Sequence, residues 1–460
     1  MMEEKISAPG IFWKVSDPEH EFHGQLKISL DNQVSIEVTE SGVGLNDVKK
    51  ALSGDLDIGR MEGMVEKIGA VTLEGCRYRS RPLSFGGIAR SKIIAKQAYI
   101  NASFDANVPV SFKKIRISVE GLEHWVGDAN KRLEFSDDEI WTVDNRSKTN
   151  MEIGVDDNFS MRLVTIPNVY LDYESCEARF IGKTYLDLNF EKEVCYEDAA
   201  VLIDRVLNFF SFAMDRVACI REIKAISDAN RINGDFDHSV FFDVHYNGRF
   251  FSPSFLGGKS RDFIFDMSVG GMQLQKSITL WFEAYQRFGS ALNLYLAARM
   301  EAYRYLDGKF LAMAQCIESF HRCTDDRKKM SKSDYSELKD KVLNACPDEH
   351  KGLIKDLLNF GNEISLRERI ASLVEPFKNY FGEEEERMKM IRGIVRTRNY
   401  YTHYDKKLEE KSLKGARLMK AYMIMEVLFQ MHVLRFVGFS NENIDRIAKA
   451  NPNFSMFLKL

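Results

Sequence analysis

Polar and hydrophobic residues alternate with a period of two near the start of the chain. In GQLKISLDNQVSIEVTE the alternating apolar positions are Leu26, Ile28, Leu30, Val34, Ile36 and Val38. This period places every second side chain on one face of a strand, and Asp31 and Asn32 supply a turn between the two runs. The stretch therefore predicts a β-hairpin.

The same alternation returns in KKIRISVEG, with Ile115, Ile117 and Val119 on one face, and in KTYLDLNF, with Leu186 and Leu188 on one face. Between Glu197 and about Met214 the apolar period becomes helical, and strands resume in SVFFDVHYNGRFFS around an Asn247-Gly248 turn. We therefore expect residues 1–270 to form a β-rich, sandwich-like and mostly antiparallel domain with an inserted helix.

From residue 271 onward the pattern is helical almost to the end. One long stretch, Gln275 to Cys323, is apolar at helical spacing, and the lysine-rich DDRKKMSKSD at 325–334 predicts a mobile loop. Two residue pairs have the spacing of a capping box, Asp334 with Glu337 and Ser365 with Glu368. Pro376 should end the helix that Ser365 begins.

The segment GEEEERMKMIRGIVRTRNYYTHYDKK begins with glutamates and ends with lysines. Acidic residues stabilise the positive end of a helix dipole and basic residues the negative end, so this asymmetry predicts a helix. Further helices are expected from about Lys414 to Val437 and from about Ser440 onward. Residues 271–460 thus predict an all-α helical bundle, and the chain as a whole an α+β protein.

Composition narrows the class of protein. With 45% hydrophobic residues the chain can bury a large core, and its N-terminus lacks a basic region followed by an apolar run, so we expect a cytoplasmic protein without a secretory signal. The most apolar helical stretch, residues 421–439, carries Glu426, His432 and Arg435, and we expect no membrane span.

Cysteine and histidine spacing argues against a metal site. The seven cysteines contain no CxxC pair, as expected for reduced thiols, and the five histidines before residue 270 lack metal-ligand spacing, so no metal or cofactor is expected. The net charge is −4, but residues 271–460 carry 32 Lys and Arg against 25 Asp and Glu, so the helical part is better suited to a polyanionic partner.

Candidate chemistry lies in RNYYTH, residues 398–403. On a helix, Asn399 and His403 share one face, Arg398 is offset by about 100° from Asn399, and Arg396 also lies along that line. Cleaving RNA without a metal requires an acid and a base near neutrality and a fixed cation for the phosphate charge, which histidine and arginine supply. By spacing alone, a core histidine or a solvated basic face explains the pattern as well.

Other residues add to this region. Glu318, with His321 and Arg322, ends the long helix predicted before Cys323, either near the cleft or in a structural ion pair between helices. Tyr400, Tyr401 and Tyr404 can stack on bases, but aromatic residues in a packed helix usually belong to the core, so we expect only one of them to be exposed.

Residues 275–460 resemble HEPN domains, the helical nuclease superfamily whose signature is an arginine, usually a polar residue after it, and a histidine four to six residues beyond the arginine. The stretch KDLLNFGNEISLRERIASLVEPF with IVRTRNYYTHYDK, and the N-terminal GIFWKVSDPEHEFHGQLKISL, look most like ApeA-type anti-phage proteins. The resemblance makes Arg398 the phosphate-binding arginine, Asn399 the polar follower and His403 the catalytic histidine. Arg396, Tyr404 and Glu318 are supporting candidates.

The resemblance also implies a dimer, with two RNxxxH helices facing one another across an RNA-binding cleft, and a β-rich domain that senses infection, through a phage-derived trigger for example. The expected activity is metal-independent cleavage of RNA, with tRNA as one candidate substrate. Two alternatives remain open: a catalytically inactive HEPN scaffold that binds RNA or protein, and a carbohydrate-binding β-sandwich with a helical dimerisation tail.

Overall fold

Strand formation in the N-terminal part follows the alternation of the sequence. The computed structural model describes residues 4–41, 57–80, 88–127, 132–135, 141–144, 151–156, 158–172, 177–233, 240–248, 263–270, 273–299 and 303–458. Contacts within the chain divide it into two units, Met1–Gln275 and Lys276–Leu460.

The strands of the first unit, in chain order, are β1 Glu4–Lys14, β2 Asp17–Ser29, β3 Val34–Ser41, β4 Asp57–Val65, β5 Gly69–Ser80, β6 Ile88–Ala95, β7 Gln97–Ile100, β8 Ser111–Val119, β9 Arg132–Phe135, β10 Trp141–Asp144, β11 Met151–Asp156, β12 Phe159–Asp172, β13 Glu177–Cys195, β14 Ile220–Ile226 and β15 Phe242–Tyr246. Three helices accompany them: α1 Leu122–Val126, α2 Tyr196–Ala213 and α3 Met267–Gly270.

The predicted hairpin is β2 with β3, in which Leu26 pairs with Ile36 and Ile28 with Val34. These four side chains are buried, whereas Leu30, which we placed on the same face, lies at the turn and is 43% exposed. The turn residue Asn32 has a φ of 58°, a conformation that asparagine tolerates better than most residues. Strand register here follows the buried face, as expected from the period of two.

Within the described residues, thirteen strands form one sheet in the order β11-β12-β13-β8-β14-β15-β7-β5-β4-β1-β2-β3-β6, and β5 also pairs with β6. That extra pairing closes β5, β4, β1, β2, β3 and β6 into a ring, so the β-rich domain is built around a barrel that continues into an open sheet. Closure leaves no free sheet edge within the ring. Every described pairing is antiparallel, which confirms the predicted fold class.

The predicted inserted helix is α2, and it packs on β8 and β13. Its buried Phe210 meets the indole ring of Trp125 edge to face at a centroid distance of 5.1 Å. The Trp125 indole nitrogen donates a hydrogen bond to the Phe265 carbonyl oxygen, 2.8 Å away. Of the predicted hairpin around Asn247-Gly248, β15 is present and the strand that should follow lies outside the described residues.

The helices that follow are α4 Leu274–Arg299, α5 Leu306–Thr324, α6 Lys332–Ala345, α7 Lys351–Leu358, α8 Leu366–Val374, α9 Glu384–His403, α10 Lys406–Glu409, α11 Ala416–Phe436, α12 Asn441–Ala450 and α13 Pro452–Phe457, with 3₁₀ turns at Asp348–His350 and Glu375–Tyr380. The helical core is centred on α5 and α11, where Phe320 meets Phe429 at a centroid distance of 5.5 Å. This confirms the predicted all-α region.

Three local predictions about the helices were wrong. The stretch from Gln275 to Cys323 is two helices, α4 and α5, because periodicity reports a buried stripe on each helix and not their continuity. Residues 325–331 are tied to the segment before α8, where the Met330 amide donates to Asn362 Oδ1 at 2.9 Å. The cap of α6 is Ser331, which accepts from the Asp334 amide, and not Asp334.

Two other predictions about helix ends are confirmed. Ser365 and Glu368 form a complete capping box at the start of α8. That helix ends at Val374, and Pro376 lies in the 3₁₀ turn that follows. Within the described residues, none of the helices combines the length and apolar character that crossing a bilayer requires.

Candidate active site

The RNYYTH segment forms the last turns of α9. Glu383 and Glu386 make a capping box at the first turn of the helix, where their charge also favours the helix dipole. The buried side of α9 carries Ile391, Ile394 and Thr397. Helical geometry continues to His403, and Tyr404 ends the helix in a left-handed conformation.

Arg398 is held by an acidic residue on a different helix. Its Nη2 lies 3.2 Å from Glu318 Oε2 on α5, and its Nη1 donates to Asn399 Oδ1 at 3.3 Å. The side chains of Arg398 and Glu318 are 31% and 20% exposed, so the pair is partly shielded but open to a ligand. The contact fixes the guanidinium against α5, and its remaining N–H groups are available to an anion.

A groove of about 620 Å³ runs between the two helices. Its lining residues are Leu311, Gln315, Glu318, Ser319 and Arg322 of α5 with Arg398 and Thr402 of α9. Arg322 also bonds to Glu318, with Nη2 3.1 Å from Oε1, so one carboxylate holds two guanidinium groups at the groove wall. Two cations and one carboxylate leave the groove with a net positive charge, which suits a phosphate.

His403 is exposed and lies outside the residues that line this groove. At 100° per residue it is about 140° around the helix from Arg398, with half-buried Asn399 between them. Its imidazole makes no hydrogen bond in the part of the chain that the structure describes. The structure thus joins Arg398, Asn399 and Glu318 directly and leaves His403 on the adjacent face.

The two candidate arginines point to different surfaces. Arg396 is exposed and lies only about 20° around the helix from His403, whereas Arg398 lines the groove. Of the three tyrosines, Tyr404 is 71% exposed, while Tyr400 and Tyr401 are half-buried and in ring contact at 5.1 Å. Only one tyrosine is exposed, as predicted.

No group of three or more His, Cys, Asp or Glu side chains in the described ranges is arranged to hold a metal ion. The chemistry available at the groove is therefore that of the side chains named above: cationic guanidinium groups, an amide, a carboxylate and an exposed imidazole.

Comparison with known families decides the classification. A family model for Apea-like HEPN matches residues 311–443, and a model for ApeA N-terminal domain 1 matches residues 7–281, more than half of the chain. The chain belongs to the ApeA-type HEPN proteins. No curated protein and no solved structure matches it. In this ApeA-type chain the RNYYTH segment and the groove both fall inside the matched HEPN region.

Behind the groove of this HEPN domain lies an ion-pair chain that the sequence did not reveal. Glu363 accepts from Arg322 at 3.3 Å and from Arg369 at 2.9 Å, and Arg369 Nη1 lies 3.2 Å from His321 Nδ1. Arg369 and His321 are almost fully buried, and burial lowers the pKa of His321. His321 therefore faces away from the groove, whereas its neighbours Glu318 and Arg322 line it.

A signal for this network was available in LRERIASLV. Arg369 lies four residues before Leu373 and one before Ile370, so it shares the apolar face of α8. An arginine on the buried face of a short amphipathic helix requires an internal partner. The partner itself could not be predicted, since Glu363 and His321 come from other segments.

Proposed function

We propose that this ApeA-type protein is a metal-independent endoribonuclease of bacterial anti-phage, abortive-infection defence. The observation that carries the proposal is the placement of Arg398, fixed by Glu318 at the wall of an open, net-positive groove. Asn399 lies next to it, and exposed His403 follows one turn later. Membership of the HEPN family supports assigning the segment to RNA cleavage.

The reaction proceeds by attack of a ribose 2′-oxygen on the adjacent phosphorus. The bond from the 2′-oxygen to phosphorus forms and the bond to the 5′-oxygen breaks, leaving a 2′,3′-cyclic phosphate and a 5′-hydroxyl. One imidazole accepts the 2′ proton and a protonated group donates to the 5′-oxygen. Arg398 stabilises the charge that develops on the phosphorane oxygens, and Asn399 orients the phosphate or the arginine.

The active form is a homodimer in which two copies of α9 face each other. One imidazole cannot act as base and acid in the same step, so a second His403 supplies the other group. The angular offset of about 140° between Arg398 and His403 supports this arrangement, since a phosphate placed between two facing helices meets both side chains. Tyr404 and Arg396 border that cleft.

The β-rich domain of residues 7–281 serves as the sensing module and a phage-derived protein as its trigger. The reaction takes place in the cytoplasm, where tRNA is one abundant substrate whose cleavage stops translation with few cuts. Neither the trigger nor the RNA follows from the groove, whose contacts are suited to a phosphate and not to a particular base.

Gel analysis of cleaved RNA tests the proposal. Total RNA and purified tRNA are incubated in EDTA with wild-type protein, His403→Ala, and His350→Ala as a matched control, because His350 is an exposed histidine outside the groove. Wild type and the control should produce the same discrete cuts, with 3′ ends that resist ligation until the cyclic phosphate is removed. His403→Ala should produce none.

Two results would overturn the assignment. Equal cutting by all three proteins would mean that other residues, or a contaminant, cleave the RNA. Absence of cutting by wild type, also after addition of phage lysate, together with retained RNA binding would replace the enzyme by the scaffold function.

A further inference from the structure

The solvent side of α9 carries a row of cations that leads to His403. Lys389, Arg392, Arg396, Asn399 and His403 recur at spacings of three or four residues; all are exposed except half-buried Asn399. At 100° per residue they fall within an arc of roughly 80°, opposite the buried face of the helix. We call these five residues the α9 ridge.

The cations of the ridge are not neutralised. Elsewhere in the described residues many exposed lysines have a carboxylate partner, for example Lys449 with Asp445 at 2.7 Å. In the described part of the chain the side chains of Lys389 and Arg396 have no acidic partner, and Arg392 donates only to the carbonyl oxygen of Met388, at 3.2 Å. Like charges at this spacing destabilise a helix, and a bound polyanion offsets that repulsion.

The spacing of the ridge matches a strand of nucleic acid. Side chains three or four residues apart on a helix are separated by about 5–6 Å, which is similar to the separation of successive phosphates along one strand. The row from Lys389 to His403 rises about 20 Å along the helix axis. Beyond its far end, exposed Tyr404 offers a ring on which a base can stack.

We propose that the α9 ridge binds the backbone of single-stranded RNA that extends from the cleavage point toward the N-terminal end of α9. Lys389, Arg392 and Arg396 each contact one phosphate. A single line of side chains follows one strand, so the ridge selects single-stranded segments over duplexes. This inference rests on the proposed ribonuclease function, since it uses His403 as the position of the scissile phosphate.

Binding at different salt concentrations tests the ridge without cleavage. The probe is a fluorescein-labelled single-stranded RNA of roughly twelve nucleotides with 2′-O-methyl riboses, which cannot attack the phosphate, and binding is followed by anisotropy from about 50 to about 200 mM NaCl. The proteins are wild type, Lys389→Gln/Arg392→Gln, and Arg446→Gln/Lys449→Gln as a control with the same charge change on α12.

The ridge variant should bind more weakly and show less salt dependence. Each lost phosphate contact reduces the slope of log K against log salt by about 0.7, so loss of two contacts means that the same rise in salt weakens binding about 7-fold less than for wild type. The control should keep the wild-type slope. Equal slopes for all three proteins, a matching change in the control, or no binding by wild type would overturn the ridge.

The two proposals fail separately. If the ridge variant loses slope but wild type never cleaves an unmodified RNA, the ridge remains an RNA-binding surface and the ribonuclease assignment fails. If wild type cleaves in a His403-dependent way and the ridge variant binds the probe with the wild-type slope, the ribonuclease assignment stands and the ridge fails. A duplex probe that binds as tightly as the single strand would contradict the proposed selectivity.

Discussion

Thr397 links α9 to the segment that precedes α11, and its replacement tests how the RNYYTH helix is held. The side chain is fully buried, and its Oγ1 accepts a hydrogen bond from the Leu413 amide at 2.8 Å. One turn earlier, the absence of a side chain at Gly393 leaves room for Leu413, whose Cδ1 would lie 3.4 Å from an added Cβ. Thr397 and Gly393 therefore hold Leu413 at two points.

The substitution Thr397→Val keeps the shape of the side chain and removes only the acceptor. An amide left without a partner in a buried position costs about 1–3 kcal/mol. The added methyl group recovers about 0.8 kcal/mol of burial. We expect a net loss of about 1–2 kcal/mol in the free energy of unfolding, which lowers the melting temperature by about 2–6 °C in a unit of this size.

Calorimetry of the full chain and hydrogen exchange at the Leu413 amide measure the two consequences. Thr397→Ser is the matched control, because it keeps the hydroxyl and loses a methyl group. Both variants should melt below wild type, but only Thr397→Val should lose protection of the Leu413 amide. Unchanged exchange at Leu413 in Thr397→Val, or equal loss in both variants, would refute the account of this hydrogen bond.

Three further changes separate electrostatics from packing. Glu318→Gln removes the carboxylate of the groove, so affinity for the 2′-O-methyl RNA probe should rise up to ~5-fold at low salt, the equivalent of a partly exposed ion pair; weaker binding would show that Glu318 serves only to position Arg398. Burial, and next the Lys5 charge, lower the pKa of His245 to about 4, so the unfolded chain takes up the proton first and stability falls with pH between about 6.5 and 4. His245→Gln should abolish about 2 kcal/mol of the loss seen in urea unfolding between about pH 7 and 5, and an unchanged loss would assign the acid sensitivity elsewhere. Ser365→Ala should cost about 1 kcal/mol at the capping box of α8, while Ser365→Thr should melt close to wild type; equal melting of Ser365→Ala and wild type would contradict the cap.

Local signals in the sequence determined much of the secondary structure. The hairpin of Leu26 and Ile36 and the helix α9 follow from periodicity, charge and capping, which act between residues a few positions apart. Because α9 is regular to His403, the angles between Arg396, Arg398 and His403 could be worked out before the structure was known. The candidate site residues were within reach for the same reason.

Only the tertiary structure decided which partners these residues have. Glu318 pairs with Arg398 across 80 positions of sequence, and the pairing of β5 with β6 that closes the barrel depends on how a whole sheet coils. The break between α4 and α5 was hidden because both helices bury an apolar stripe. Periodicity specifies which face of an element is buried, but not what that face packs against; packing of distant segments sets the partner, and with it the groove.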